Sequence, residues 1–300
     1  MKTNHNLSDK IIVITGATAG IGQAAARALV AQGARVIAVG RSATRCAQTK
    51  KAIMAEFPEA DLSFIIADLA SQSAVRKLAD QIRTQIQSAH EGHIDVLVNN
   101  AGTVSSWYTA TEDGYELQFA VNHLAPFFLT QELLPLLKTA PQGRVITTSS
   151  ASHRGTKIHW ADVMNRKRYN CLRAYKQSKL ANVLFTYEFN RRNSGSEISS
   201  RVQAFAVDPG LVNTEIGLKG TGGIEKLVWG RRRSRGVPPE KAAETIVYLA
   251  AAESLEDTPT AYWKDCQPKK PSRYAQRAHE AVRLWALSEQ LCGIQPMVLQ

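Results

Sequence analysis

The residues that decide the fold of this chain are Ile11-Ile12-Val13-Ile14-Thr15 followed by Gly16-Ala17-Thr18-Ala19-Gly20-Ile21-Gly22. The first five are all β-branched, which favours a strand. Residues 21–32 have the apolar spacing of a helix, and Gly33 follows as a stop signal. Between them, glycine allows a close approach to a phosphate, and the start of the helix offers it unpaired N–H groups. A glycine cluster alone also fits a simple tight turn, but between a first strand and a helix it predicts a dinucleotide site.

Downstream of this unit, strand-like and helix-like segments alternate as far as residue 207. The predicted strands are residues 35–39, 62–67, 94–99, 144–148 and 202–207, and the predicted helices are residues 43–57, 71–88, 112–138 and 172–192. Pro126 and Pro135 predict kinks in the third of these helices. The strands are nearly all apolar, as expected for parallel strands covered on both faces. The sequence therefore predicts an α/β fold with a doubly wound, mostly parallel sheet that binds its ligand at the carboxyl ends of the strands.

The last third of the chain has a weaker pattern. Residues 211–238 are rich in glycine, arginine and proline, and we expect a mobile excursion there that borders the substrate. A helix is predicted at residues 240–252, a short seventh strand at 261–263, and a C-terminal helical segment at about 272–292. Because no linker interrupts the series, residues 1–300 are predicted to form a single domain.

Composition and charge exclude several classes of protein. Apolar residues make up 44% of the chain, as in ordinary globular proteins. No apolar run approaches the roughly 20 residues of a transmembrane helix, and the polar start resembles no secretory signal, so we expect a cytoplasmic protein. The four cysteines are widely spaced and no paired metal-ligand motif occurs, so no metal site is predicted. The net charge of +11 allows a nucleic-acid partner. The arginine cluster at residues 231–235 lacks interleaved aromatic residues, however, so no nucleic-acid partner is predicted.

Further motifs follow the predicted strands in order. They are Asp68 and Leu69 after the third strand, Asn99-Asn100-Ala101-Gly102 after the fourth, Asn122 in the long helix, Ser150 after the fifth strand, Tyr175 and Lys179 in the next helix, and Pro209, Gly210 and Thr214 after the sixth strand. With the glycines, this series resembles the short-chain dehydrogenase/reductase family over residues 10–215. The resemblance implies a Rossmann fold and an enzyme that transfers hydride between a nicotinamide cofactor and a small-molecule carbonyl or alcohol.

The resemblance also implies which residues bind the cofactor. It assigns Gly16, Thr18, Ala19, Gly20, Ile21 and Gly22 to the glycine loop, Asp68 and Leu69 to the adenine, Asn99, Ala101 and Gly102 to the adenosine side, Pro209, Gly210 and Thr214 to the nicotinamide end and the pyrophosphate, and Tyr175 and Lys179 to the nicotinamide ribose.

One charge pattern favours NADP(H) over NAD(H). NAD enzymes usually carry an acidic residue about 20 positions after the glycines to hold the ribose 2′-hydroxyl, whereas an arginine there suits a 2′-phosphate. No Asp or Glu occurs between Gln23 and Ala55, and Arg41 ends the second predicted strand, with Arg45 one helical turn further. A guanidinium can bind a phosphate through two N–H groups. Two surface arginines without a ligand are the alternative interpretation.

Tyr175 and Lys179 have the spacing of one face of the predicted helix. A free phenol has a pKa near 10, and a neighbouring ammonium lowers the pKa of a phenol, which makes tyrosine usable as a general acid/base. The resemblance implies that Tyr175 protonates the carbonyl oxygen and that Ser150 donates a hydrogen bond to it, with Ser149 as the competing candidate. It further implies that Asn122 holds a water molecule on the proton path from Lys179.

Residues 151–174 separate Ser150 from Tyr175, which is more than the usual spacing in the family. This insertion resembles the retinol-dehydrogenase-like branch, which implies a lipophilic aldehyde or ketone. Substrate contacts are expected from this insertion, from the loop with Trp107 and Tyr108, and from the excursion at residues 211–238. An apolar pocket is suggested by Trp107, Trp160, Leu218, Leu227 and Trp229, each of which could equally anchor its own loop. Related enzymes often pair through the two helices that contain Asn122 and Tyr175, so a homodimer is one expectation, but no surface stripe in this sequence decides the oligomeric state. The alternative function is a catalytically silent NADP(H)-sensing regulator, against which the intact serine, tyrosine and lysine argue.

Overall fold

A mostly parallel sheet forms the centre of the molecule. The computed structural model describes residues 6–89, 92–194, 202–213, 236–255 and 260–295. Its strands are β1 (Ile11–Thr15), β2 (Arg35–Gly40), β3 (Leu62–Ile66), β4 (Val96–Asn99), β5 (Arg144–Thr148), β6 (Gln203–Val207), β7 (Tyr262–Lys264) and β8 (Gln267–Pro268), in the order β3-β2-β1-β4-β5-β6-β7-β8. Neighbouring strands pair in parallel, except β7 and β8, which are antiparallel. The predicted α/β fold with a doubly wound sheet is confirmed.

Helices cover both faces of this sheet. They are α1 (Gly20–Val30), α2 (Ala43–Glu56), α3 (Gln72–Ser88), α4 (Leu117–Phe119), α5 (Ala125–Lys138), α6 (Cys171–Asn193), α7 (Pro239–Ala251) and α8 (Ala278–Leu291). Helix α1 packs against α7, whereas α3 packs against α5 and α6 against α8. Alternate residues of β1 face the two apolar clusters, with Val13 in one and Ile12 and Ile14 in the other, all fully buried. Each such burial stabilises the fold by about 1.5–3 kcal/mol, so the strand ends that carry the site have a rigid base.

A crevice opens at the carboxyl ends of β1 and β4. Strand β1 pairs with β2 on one side and with β4 on the other, so the loops that follow β1 and β4 diverge. Side-chain bonds hold the two loops together at their base. The hydroxyl of Thr15 accepts hydrogen bonds from the N–H groups of Asn100 and Ala101, both at 3.1 Å, and Asn100 Nδ2 donates to the Thr15 carbonyl at 3.1 Å.

The prediction that a helix begins at residue 112 is wrong. The helical structure begins at Leu117, because the carboxylate of Glu116 accepts hydrogen bonds from the N–H groups of Gln118 at 3.0 Å and Phe119 at 2.8 Å. Glu116 itself forms a β-bridge with Ala110. A π-helical turn, Ala120–Leu124, then separates α4 from α5.

The C-terminal region also departs from the prediction. Helix α8 begins at Ala278 rather than at residue 272, because the preceding residues turn toward the Ser150–Tyr175 insertion, where the Ser272 N–H donates to His153 Nε2 at 3.0 Å. The sequence prediction missed β8. Asp265 and Cys266 join it to β7 with φ of 52° and 55°, conformations that Asn-Gly usually signals.

The excursion predicted at residues 211–238 lies mostly outside the described residues, which include Val212 and Val237 at its two ends as a parallel bridge. Among the helices that the structure describes, none has the length and apolar content needed to cross a bilayer.

Candidate active site

A cleft of about 1130 Å³ runs along the carboxyl ends of β1 to β6. The predicted site residues that line it are Gly16, Thr18, Ala19, Gly20, Ile21, Arg41, Asp68, Leu69, Ala101, Gly102, Ser150, Tyr175, Lys179, Pro209 and Gly210. Three others, Gly22, Asn99 and Asn122, are buried behind its wall, and Thr214 lies outside the described residues.

The loop between β1 and α1 can be built only with glycine at two positions. Gly16 has a φ of 70°, and a Cβ there would lie 2.8 Å from the Ala101 Cα. A Cβ at Gly22 would lie 2.3 Å from the Gly16 carbonyl oxygen and 2.3 Å from Asn100 Nδ2. The N-cap residue of α1 is Ala19, which has no side-chain acceptor for the N–H groups of the first turn. The loop therefore presents unpaired donors to the cleft, as an anion site requires.

Basic side chains border the cleft where β2 ends. Arg41 and Arg45 both line it, and the Arg45 guanidinium donates to the Thr18 carbonyl at 3.1 Å, which joins α2 to the glycine loop. Asp68 lines the cleft beyond β3, and its carboxylate accepts the Ala70 N–H at 3.0 Å. This end of the cleft combines two guanidinium groups with one carboxylate.

Asn99, the last residue of β4, and Asn100, which follows it, direct their side chains differently. The side chain of Asn99 is 2% exposed and donates to the Thr130 hydroxyl at 3.0 Å, away from the cleft. Asn100 lines the cleft instead, and its amide accepts from the Thr148 hydroxyl at 3.4 Å. The structure thus places Asn100, which the sequence assignment omitted, where Asn99 was expected.

Lys179 lies beside Tyr175 in the wall of the cleft. Its ammonium is 5.8 Å from the centroid of the Tyr175 ring and donates a hydrogen bond to the Thr148 carbonyl at 3.0 Å. Lys179 is 2% exposed, and burial lowers its pKa to about 8. The predicted spacing on one helix face therefore brings the phenol and the ammonium together.

The hydrogen bonds of the two serines after β5 favour Ser150 over Ser149. The hydroxyl of Ser149 is buried and donates to the Lys179 carbonyl at 2.8 Å. The hydroxyl of Ser150 accepts the Ser152 N–H at 3.1 Å, so its own hydrogen is available to a ligand in the cleft.

Asn122 is buried and hydrogen-bonded through both its side chain and its backbone carbonyl. Its Oδ1 accepts the Thr103 N–H at 2.7 Å, and its Nδ2 donates to the Thr103 carbonyl and to the Ser178 hydroxyl, both at 3.0 Å. The Pro126 nitrogen, four residues later, has no hydrogen for the Asn122 carbonyl. That carbonyl accepts from Asn182 Nδ2 at 2.8 Å. These bonds use both hydrogens of Asn122 Nδ2 and one acceptor position of Oδ1, so the side chain is fixed between Thr103 and Ser178.

A buried network that the sequence assignment missed runs from α8 to β5. Asn182 Nδ2 also donates to the Thr148 carbonyl at 3.2 Å, so the Asn182 Oδ1 faces His123 Nδ1 at 3.3 Å. His123 Nε2 lies 2.9 Å from the Ser288 hydroxyl, which also donates a hydrogen bond to the Leu284 carbonyl at 2.8 Å. Burial lowers the pKa of His123 to about 4, so its imidazole is neutral near pH 7. The only sequence signal was a run of polar residues inside apolar helices.

The insertion between Ser150 and Tyr175 packs on the C-terminal region. The indole N–H of Trp160 donates to the Glu280 carboxylate at 2.7 Å, and the guanidinium carbon of Arg283 lies 4.1 Å from the centroid of the Trp160 ring. Tyr108 packs edge-on against Tyr169, and Trp107 is 69% exposed. Trp107, Tyr108 and Trp160 do not line the cleft, whereas the start of the insertion, Ala151, Ser152 and Arg154, does. The other predicted pocket residues, Leu218, Leu227 and Trp229, lie outside the described residues.

Asp208 shapes the turn after β6. Its carboxylate accepts the Gly210 N–H and the Tyr262 hydroxyl, both at 3.0 Å, which fixes the Pro209-Gly210 corner in the cleft wall. Burial and the adjacent Asp208 carboxylate raise the pKa of Tyr262 above its usual value, so this hydroxyl is a permanent donor.

Comparisons with known proteins agree with this geometry. A family model described as short chain dehydrogenase matches residues 10–220. The chain is 35% identical over 293 residues to retinol dehydrogenase 12 of Mus musculus, which covers 98% of this chain and 89% of that protein. It is 36% identical over 296 residues to retinol dehydrogenase 13 of Homo sapiens, which covers 95% of this chain and 85% of that protein.

Solved structures share the fold over most of the chain. An uncharacterized protein from Mycobacterium Paratuberculosis superposes with a TM-score of 0.74 at 32% identity, over 96% of this chain and 95% of that one. A short chain dehydrogenase from Escherichia coli CFT073, solved in complex with NADPH, has a TM-score of 0.65 at 23% identity, over 89% of this chain and 100% of that one.

Proposed function

Since this chain belongs to the short-chain dehydrogenase family, we propose that it uses NADPH to reduce a lipophilic aldehyde or ketone, with Tyr175 as the proton donor. Members of the family are oxidoreductases that act on alcohol or carbonyl groups with a nicotinamide cofactor. This chain has the glycine loop, Ser150, Tyr175 and Lys179 of the family pattern. The observation that carries the proposal is the Lys179 ammonium 5.8 Å from the Tyr175 ring, in the cleft that also contains the glycine loop.

The residues present fit a dinucleotide. The first turn of α1 has no side-chain acceptor at its N-cap, and any Cβ at Gly22 would collide with the loop that borders it. The glycine loop would hold the pyrophosphate, Asp68 the adenine, and Pro209 and Gly210 the nicotinamide end. When bound, the nicotinamide supplies or accepts the hydride.

The catalytic end of the cleft is the end that contains Ser150, Tyr175 and Lys179, and these side chains act on the carbonyl oxygen of the substrate. Ser150 donates its free hydroxyl hydrogen to that oxygen, and Tyr175 delivers a proton to it. Lys179 stabilises the resulting phenolate, because a positive charge near a phenol favours its ionised form. Asn122 and Asn182 do not contact the substrate. Asn182 Nδ2 donates to the carbonyls of Asn122 and Thr148, and the Thr148 carbonyl in turn positions Lys179.

The preference for NADP(H) rests on the basic end of the cleft. Arg41 and Arg45 line it together, and Arg45 is oriented by its bond to Thr18. A 2′-phosphate would bind such a pair through charge-assisted hydrogen bonds. The Escherichia coli neighbour, solved with NADPH, has the same fold.

The apolar part of the substrate would contact one side of the cleft. Leu117, Val121, Leu211 and Val212 line it. The relatives named retinol dehydrogenases support an aldehyde or ketone with an extended apolar body. A homodimer and a cytoplasmic location stay predictions from the sequence.

One experiment tests these points together. The purified chain is mixed with NADPH or NADH and a panel of aldehydes, ketones and quinones, and cofactor oxidation is followed at saturating and limiting cofactor. We expect Tyr175→Phe to lose activity about 100-fold or more while NADPH binding persists. We expect Arg41→Ala to raise the KM for NADPH about 10-fold and leave that for NADH unchanged. Tight NADPH binding without turnover on any carbonyl would instead favour the regulator.

A further inference from the structure

The two ends of the cleft differ in the charged side chains that line them. Among the cleft residues that the structure describes, Asp68 is the only acidic one, and it lies at the end that contains Arg41 and Arg45. Arg154, Lys176 and Lys264 line the end that contains Tyr175 and Gly210, and no acidic side chain of the described lining lies there. The lining of the catalytic end therefore carries three cations, and the nearby carboxylate of Asp208 is buried behind the Pro209-Gly210 corner.

The cofactor does not account for all three cations, although Lys264 lies over the Pro209-Gly210 corner, which the family resemblance also assigns to the pyrophosphate. The negative charges of NADPH lie on its 2′-phosphate and pyrophosphate, which Arg41, Arg45 and the start of α1 would meet. The nicotinamide ring and its ribose carry no negative charge. A cation that faces them gains nothing from the cofactor, and packing like charges in a cleft is unfavourable without a partner.

The structure holds Arg154 in place from behind. Its guanidinium donates to the Lys270 carbonyl at 2.5 Å and lies 5.9 Å from the centroid of the Tyr262 ring. An arginine has five N–H donors, and this anchor uses one of them. The remaining donors are oriented and available to an acceptor in the cleft.

Lys264, at the end of β7, extends over the Pro209-Gly210 corner. Its Cε lies 4.0 Å from the position that a Cβ on Gly210 would occupy. The nearby Asp208 carboxylate is used by the Gly210 N–H and the Tyr262 hydroxyl. Within the described part of the chain, neither Lys264 nor Lys176 makes a salt bridge or a side-chain hydrogen bond.

From this charge distribution we infer that the substrate is a carbonyl compound with an apolar body and a carboxylate, and that Arg154 and Lys264 bind the carboxylate while Tyr175 protonates the carbonyl oxygen. The inference rests on the proposed carbonyl reduction and adds a substrate class to it. The apolar body would lie along Leu117, Val121 and Leu211. Charge-assisted hydrogen bonds of this kind are about twice as strong as neutral ones, so they discriminate well against an uncharged analogue.

A matched pair of aldehydes tests the inference. The probes are 4-carboxybenzaldehyde and its methyl ester, which differ by one charge at nearly the same shape. With NADPH, we expect kcat/KM to be about 10-fold higher for the carboxylate, and to fall for the carboxylate alone as NaCl rises. Lys264→Gln and Arg154→Gln should each lower kcat/KM for the carboxylate about 10-fold and leave the ester within two-fold. Arg154→Lys should retain part of the preference.

Two controls separate this site from other roles. Lys269→Gln removes an exposed lysine of the same hairpin that does not line the cleft, and it should change neither aldehyde. The affinity for NADPH, measured by fluorescence titration, should be unchanged in Lys264→Gln. Weaker NADPH binding with an unchanged carboxylate-to-ester ratio would assign the lysine to the cofactor and overturn the inference.

The remaining outcomes are also decisive. Equal or better use of the ester by the unmodified enzyme contradicts the carboxylate site but leaves carbonyl reduction intact. If neither aldehyde is reduced, calorimetry of 4-(hydroxymethyl)benzoate with the enzyme and NADP⁺ decides. Binding that Lys264→Gln abolishes supports the carboxylate site, and absence of binding overturns it.

Discussion

The ammonium of Lys179 donates a hydrogen bond to the backbone carbonyl of Thr148 at 3.0 Å, in a position where the lysine is 2% exposed. Thr148 is the last residue of β5, so the central sheet positions the ammonium directly. Burial lowers the pKa of Lys179 to about 8. The ammonium of Lys179, beside the phenol of Tyr175, therefore has a pKa close to neutral pH.

Replacement of Lys179 by Met should stabilise the protein and abolish its activity. The pKa is about 8 in the folded chain and 10.5 in the reference state. Between these values the unfolded chain binds a proton that the folded chain does not, so stability should rise with pH there. Below pH 8 the full cost of the buried charge is present. Removing it should add about 1–3 kcal/mol to the free energy of unfolding at pH 7.

Urea denaturation at pH 7 and pH 10, with NADPH turnover measured alongside, checks this prediction. The Lys179→Met variant should show a flatter pH dependence across that window. Lys50→Met, at an exposed position of α2, is the control and should leave both quantities unchanged. A Lys179→Met variant that is clearly less stable at pH 7 would show that the lysine is a net stabilising group.

Asn182→Ala should lower both stability and kcat. Its Nδ2 donates to the carbonyls of Asn122 and Thr148, and each buried carbonyl left unpaired costs about 1–3 kcal/mol. Because the Thr148 carbonyl also holds Lys179, we expect kcat to fall about 10-fold or more. The matched control is Asn190→Ala on the same helix, which loses two bonds to Ala204. It should lose stability alone, and equal losses of kcat in both variants would remove the positioning role.

The stability of the protein should fall as the pH drops from about 6.5 to about 4, and His123 should account for part of that fall. Its pKa is lowered from 6.5 to about 4 by burial between Asn182, Ser288 and two phenylalanine rings. In that window the unfolded imidazole binds a proton that the folded one does not, so acidification favours unfolding by up to about 3 kcal/mol. His153, whose pKa burial also lowers, adds in the same direction.

Chemical denaturation at pH 7.5 and pH 4.5 measures this effect. His123→Gln should reduce the difference in unfolding free energy between the two pH values. His159→Gln, at an exposed position, should leave it unchanged. An unchanged difference in His123→Gln would mean that other groups carry the acid sensitivity.

Gly22→Ala should weaken NADPH binding about 10-fold or more. The added Cβ would lie 2.3 Å from both the Gly16 carbonyl oxygen and Asn100 Nδ2, so the glycine loop must shift. Fluorescence titration with NADPH and a thermal melt measure the effect. At Gly92 no heavy atom lies within 4 Å of an added Cβ, and Gly92→Ala should bind NADPH normally. Normal affinity in Gly22→Ala would show that the loop adapts.

Local patterns were enough to predict much of the fold and part of the site. The alternation of strands and helices predicted the parallel sheet, and the glycines with the four-residue spacing of Tyr175 and Lys179 predicted the two ends of the cleft. These features depend on backbone conformation and helix periodicity, which neighbouring residues determine. The start of α4 was mispredicted because the predicted helix ran through Gly114, which has a φ of 79°, whereas Glu116 is the N-cap of the helix.

Tertiary structure decided which of two adjacent residues faces the cleft, and which distant residues meet there. Asn99 and Asn100 are alike in sequence, but only Asn100 lines the cleft. Ser149 and Ser150 both line it, but Ser149 gives its hydroxyl hydrogen to the Lys179 carbonyl. A shift of one residue in an extended chain reverses the direction of a side chain, and only pairing with neighbouring strands sets that register. The network from Ser288 to Thr148, and the approach of Arg154 and Lys264, join segments far apart in the chain. No local pattern encodes such contacts, because they arise only when the helices pack on the sheet.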